Sequence, residues 1–128
     1  MLANGLLTVR DIHHGWAWVV IIGNGLAGLW ALAANWLPVL RTRALWWFIG
    51  AAELTVFVQV VLGAVLVGKY KVPLPQFHAF YGFVAIIAIA IIYSYRFQMK
   101  HRLYLLYGCG SLFVMGLGIR AMLIATGT

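Results

Sequence analysis

Four runs of apolar residues, separated by short polar connections, set out the chain: Ile12 to Leu37, Leu45 to Gly68, Gln76 to Phe97 and Leu103 to Ala125. Each reaches the ~20 residues that a helix needs to cross hydrocarbon, where no water satisfies an open backbone. The pattern predicts an all-α integral membrane protein, one membrane domain over residues 1–128, folded as an up-down-up-down four-helix bundle. Asp11, just before the first run, is expected to cap that helix by accepting from its early N–H groups. The second connection, Lys69 to Pro75, carries Lys71, Pro73 and Pro75 and delivers His78 just inside the third run.

Composition agrees with this pattern. Hydrophobic residues make up 65% of the chain and charged residues 9%, and the mean hydropathy is +0.99. Soluble domains do not have such a composition. Small residues cluster in the first run (Gly23, Gly25, Ala27, Gly28, Ala31, Ala34) and in the fourth (Gly108, Gly110, Ser111, Gly116, Gly118). They predict close helix approach, since packing rather than hydrophobicity drives association in lipid. The single cysteine, Cys109, lies in an apolar run and reads as a small packing residue. The first run exceeds the apolar region of a signal peptide and reads as a retained span, although Ala31-Leu32-Ala33 has the form of a cleavage site.

The net charge of +7 does not point to nucleic acid, because the basic residues are spread among helix ends rather than gathered on one patch. Arg41, Arg43, Arg96, Lys100 and Arg102 fall in the first and third connections, and Arg10, Lys69 and Lys71 at the other surface. The positive-inside bias therefore places the first and third connections in the cytoplasm and both termini outside, in a bacterial cytoplasmic membrane. His101, in the basic third connection, reads as a solvated surface residue.

The polar residues within the spans carry the candidate chemistry, since ionisable groups in a bilayer are costly and tend to be functional. Glu53 lies in the cytoplasmic half of the second span, as a neutral hydrogen-bonded acid or as a proton or quinone site. His14 enters the first span and His78 the third, each about two residues in, so their depths match on helices that run in the same direction. Two neutral imidazoles facing each other supply both axial positions of a haem iron, each with its second ring nitrogen satisfied by a hydrogen bond. Helical spacing leaves His13 as an alternate to His14. A zinc ion wants a third or fourth ligand, for which this level offers Asp11 and the other histidine of the pair. Arg120, one to two turns from the outer end of the fourth span, can snorkel to the surface or serve an acidic group; with Lys69 and Lys71 it is available to haem propionates.

The order of these residues resembles one four-helix half of the haem A synthase family. Asp11 stands three before His14, Gln59-x-x-x-Gly63-x-x-x-Val67 lies in the next helix, and Phe77-His78-Ala79 opens the third. The resemblance implies that His14 and His78 are the axial pair and that Asp11 holds the family's acidic position. The chain departs from the family in having Asp11 where Glu is usual, Gly15 where Arg commonly follows the first histidine, and one bundle where the family has two in tandem. With one bundle the two-site conversion of one haem into another is lacking, which points away from a stand-alone enzyme. The expectation is a haem b protein that transfers electrons or holds haem within a respiratory membrane complex, alongside other membrane subunits or a second copy. Two alternatives remain: a structural accessory subunit with no redox centre, and a subunit whose histidines ligate chlorophyll-type pigments singly.

Overall fold

A computed structural model describes residues 2–75 and 77–125. Gln76, where the third span was expected to begin, lies outside the described residues. Four helices account for most of the chain: α1 (Leu2–Trp36), α2 (Arg43–Gly68), α3 (His78–Ser94) and α4 (Leu103–Ala125). One-turn 3-10 segments, Pro38–Leu40 and Lys100–Arg102, lead into α2 and α4. There is no strand among the described residues. α1, α2 and α4 are long and apolar enough to cross a membrane.

Two elements differ from expectation. α1 begins at Leu2, ten residues before the apolar run. No proline interrupts Leu2 to Arg10, and Thr8 folds its hydroxyl back onto the Asn4 carbonyl (2.8 Å) rather than starting a turn. Asp11 therefore lies inside the helix, exposed, and is not its cap. The Asp11 N–H follows helical residues and has an intrahelical partner, so a cap has nothing to satisfy there. The early turns of α1 lie against the second connection, where Gly5 leaves room for the Tyr70 hydroxyl: a Cβ at Gly5 would stand 2.6 Å from it.

The second difference is α3, which has 17 residues rather than 22. Pro73 and Pro75 keep the preceding segment extended, and at Tyr95 the backbone leaves helical geometry (φ −91°, ψ 2°). Arg96 closes the end, its N–H and its guanidinium both donating to the Tyr93 carbonyl (3.3 and 2.7 Å). A basic group at this carbonyl-rich terminus also complements the helix dipole.

α1 ends because Leu37 precedes Pro38 and takes the extended conformation (φ −116°, ψ 94°) which that position favours. Arg41 then folds back onto the helix, donating to the carbonyls of Ala34 (2.7 Å) and Asn35 (2.8 Å). α2 ends differently. Val72 N–H donates to Leu66 O (3.0 Å) across a residue in the left-handed region, Lys71, with φ 56°. This is a seven-residue closure, one residue wider than the Schellman motif, around a left-handed position at which glycine is the usual residue. Lys71→Gly is accordingly expected to stabilise the fold by roughly 1 kcal/mol, read as a higher thermal midpoint in detergent; an unchanged or lower midpoint would contradict it.

α1 is the central element. It packs most extensively on α4 and then on α2, α3 packs on α4, and α2 and α3 touch little. Ala27, Ala31 and Ala34 are wholly buried and form the spine of one core cluster with Leu45, Ile49 and Tyr107. A second cluster joins Val20, Val56, Ala85, Ile89, Val114 and Leu117, with Trp16 and Tyr81 packed against it. Side chains tie α1 to α2 carbonyls: Trp16 Nε1 donates to Thr55 O (2.9 Å) and the buried Asn24 Nδ2 to Ala52 O (3.2 Å). Such bonds fix rotation about the helix axis, which apolar packing in lipid specifies poorly.

Candidate functional site

The histidine site is built at one end of the bundle by α1, α2, the start of α3 and the end of α4. His78 is the first residue of α3, and its backbone N–H donates to Pro75 O (3.2 Å). Its ring Nδ1 lies 2.8 Å from the carbonyl oxygen of Ala121 on α4. A carbonyl only accepts, so Nδ1 carries the proton and Nε2 is left with a free lone pair. That is the arrangement by which a backbone carbonyl orients a ligating imidazole.

Opposite it stands His13. Its ring lies against Gly63 of α2, where a Cβ would come within 3.3 Å of His13 Cε1. Any larger residue at position 63 must push the ring away. Gln59, one turn earlier, donates from Nε2 to the His13 backbone carbonyl (2.8 Å). The His13 Nδ1 and Gln59 Oε1 atoms are both buried and without a hydrogen-bond partner. The His13 and His78 ring centroids are 6.0 Å apart with an interplanar angle of 74°.

His14 is exposed, and its ring centroid lies 6.4 Å from that of His13. Spacing along the sequence favoured His14 as the partner of His78; the ring brought against His78 is that of its neighbour. Successive helical residues point about 100° apart, so only one of two adjacent histidines can face the bundle. Beneath the pair, Trp16 and Tyr81, each three residues on from a histidine, pack onto the second core cluster and close the site from the bundle interior. At Gly82, one turn on from His78 on α3, a Cβ would meet nothing within 4 Å.

The cationic residues remain at the periphery. Lys69, Lys71 and Arg120 are exposed, and Lys69 rests over its neighbour Tyr70 (5.4 Å to the ring centroid). Arg120 immediately precedes the carbonyl that holds His78. Glu53 stands elsewhere. It is ten residues before Gly63 on α2, about 15 Å along the axis. Among the described residues no three His, Cys, Asp or Glu side chains converge as a metal site, so a zinc ion has no ligand set here.

Two contributors were not singled out as site residues from the sequence. Gly63 had a signal, since it lies four residues from Gln59 on the same helix face. The Ala121 carbonyl had none, because a backbone acceptor late in an apolar helix looks like any other until the helices are placed. No protein-family model, curated protein or solved structure matches the chain.

Proposed function

We propose that this chain is a haem b-binding membrane bundle, an electron-transfer or haem-holding subunit of a larger membrane assembly, with His13 and His78 as the axial pair. The observation that carries the reading is the meeting of two imidazoles from α1 and α3, helices that otherwise scarcely touch, with 6.0 Å between ring centroids. With metal–nitrogen bonds of about 2 Å and half a ring on each side, two imidazoles on one metal have centroids about 6 Å apart. The donor set fits: His78 is held through Nδ1 with Nε2 free, and His13 has a buried ring nitrogen without a partner. α2 and α3 touch little, and at Gly82, one turn on from His78, a Cβ would meet nothing within 4 Å. Held by His13 and His78, haem b would supply a one-electron couple suited to electron transfer. Arg120, Lys69 and Lys71 are the cations available to its acidic edge.

The test is an absorption spectrum of the purified protein, oxidised and then reduced. Low-spin bands that appear in the wild type and are lost in His78→Ala are the expected result. A native protein that carries no haem and takes up none would leave the structural-subunit reading in its place.

The proposed arrangement is up-down-up-down across a bacterial cytoplasmic membrane, with both termini outside. Contacts between neighbouring helices support it. Gly25, Gly28 and Ile21 of α1 meet Met115, Leu112 and Gly118 of α4, so residue numbers fall on one helix as they rise on the other. The same reversal relates α1 to α2 through Trp16–Thr55 and Asn24–Ala52, and α3 to α4 through His78–Ala121 and Ile92–Gly110. The 17 residues of α3 span about 25 Å, and the turns from Tyr95 to Met99 carry the chain on to the boundary. With the exposed Cys109 replaced by serine, a cysteine at Val72 is expected to react with an impermeant thiol reagent from outside, and one at Thr42 only after permeabilisation. The opposite pattern would invert the orientation.

An apolar groove of about 630 Å³ runs between α3 and α4, lined by Ile87, Ile91, Leu106, Cys109 and Phe113 among others. It supports a neighbouring membrane subunit or a second copy as partner.

A further inference from the structure

At the end of the bundle away from the histidines, α2, the turn after α3 and the start of α4 line a second, open pocket of about 450 Å³, formed by Trp46, Arg96, Phe97, Lys100, Leu103 and Tyr107. Its aromatic wall is fixed. Trp46 meets Tyr107 edge-on (5.3 Å between centroids) and tilts against Tyr104 (5.4 Å). The Arg96 guanidinium lies 3.6 Å from the Tyr93 ring centroid and 4.3 Å from that of Phe97, and donates through one Nη1 hydrogen to Tyr93 O. A guanidinium has five N–H donors, so this leaves a pre-positioned fork with most of its capacity unspent.

The basic residues at this end outnumber the acidic side chains of the whole chain. Asp11 and Glu53 are the only acidic residues. Asp11 belongs to the histidine end, and Glu53 lies seven residues deeper than Trp46 along α2, about 10 Å. Arg41, Arg43, Arg96, Lys100 and Arg102 therefore share one end of the bundle, and among the described residues none of them forms an ion pair. Arg41 is committed elsewhere, capping α1 and lying over Tyr104. Arg96 and Lys100 are the two cations that reach the pocket.

We propose that this pocket binds the headgroup of one anionic phospholipid, its phosphodiester on Arg96 and Lys100 and the upper part of its acyl chains along Phe97, Trp46, Leu103 and Tyr107. A cationic mouth over an apolar aromatic wall suits an amphiphile whose charge lies at one end. A free anion would use the mouth and leave the wall wet. The inference rests on the membrane reading but not on haem. It gives the uneven distribution of basic residues a local purpose besides orientation.

The experiment is native mass spectrometry of the purified chain from mild detergent, titrated with phosphatidylglycerol, phosphatidylcholine or inorganic phosphate. One phosphatidylglycerol is expected to be retained in preference to phosphatidylcholine, with inorganic phosphate failing to displace it. In Arg96→Gln/Lys100→Gln its affinity should fall by about thirtyfold, at roughly fivefold per cation near a membrane surface. Lys69→Gln/Lys71→Gln, with the same charge change at the other end, should keep the lipid. Arg96→Lys/Lys100→Arg, which keeps both charges, should retain most of the binding and so separates loss of the site from loss of the fold. Equal loss in the two Gln pairs, no preference over phosphatidylcholine, or full competition by inorganic phosphate would each overturn the proposal. A retained phosphatidylglycerol in a chain free of haem would leave it standing while the haem reading fell.

Discussion

Gly108→Ala should loosen the whole bundle, while Gly116→Ala, eight residues on in the same helix, should leave it intact or slightly firmer. A Cβ at Gly108 would stand 2.7 and 2.8 Å from the Leu32 side chain and 2.9 Å from the Leu32 backbone nitrogen. The approach is reciprocal, since a Cβ at Gly28 would lie 3.0 Å from the Gly108 carbonyl oxygen. A side chain in the way can change rotamer, but a backbone atom cannot, so α1 and α4 must separate. That separation opens the packing around Ala27 and Ala31, which are wholly buried. Overpacking of this kind costs about 1–3 kcal/mol for one methyl group and more for valine. At Gly116 a Cβ would meet nothing within 4 Å, and alanine is the better helix former by up to about 1 kcal/mol. Titration with a denaturing detergent, followed by circular dichroism, compares the two. Equal midpoints would mean that the α1–α4 contact does not hold the bundle together.

That α1 and α4 would each lie close to another helix was legible in the sequence, because glycine and alanine are rarely gathered in an apolar helix without a backbone to receive; that they would meet each other was not. The four helices were legible for a similar reason, since their apolar runs are long; three of them are long and apolar enough to cross a membrane. What could not be read was rotation. In a water-soluble bundle the polar face of each helix reveals which residues point inward; here α1 is apolar on both faces through Trp18, Val19 and Ile22, all exposed, as well as through Val20 and Ile21, both buried. Hence His13 and His14 could not be told apart by pattern. The helix ends escaped for another reason. Asp11 resembles a cap, but helix propensity before it was sufficient to carry α1 back to Leu2, and the aromatic run Tyr93 to Phe97 resembles span while Arg96 turns the chain.

The choice between the two adjacent histidines is where the haem reading can be tested most directly. His13→Ala is expected to lower haem per protein by about tenfold or more, since loss of even an outer partner of a metal ligand weakens a site on that scale. His14→Ala should keep the haem and its low-spin bands, because that ring is exposed and it is the His13 ring that lies against His78. A third variant separates ligation from incidental damage. Gly63→Val leaves both histidines in place but puts a side chain where a Cβ already comes within 3.3 Å of His13 Cε1. If His13 ligates, the displaced ring should turn the spectrum from low spin toward high spin, and His13→Ala should add little further loss in that background. Reduced-minus-oxidised spectra of the wild type and these four variants, matched for helical content by circular dichroism, give the result. Haem lost from His14→Ala but kept in His13→Ala would move the ligand to position 14. Haem kept with unchanged bands in both would remove α1 from the site.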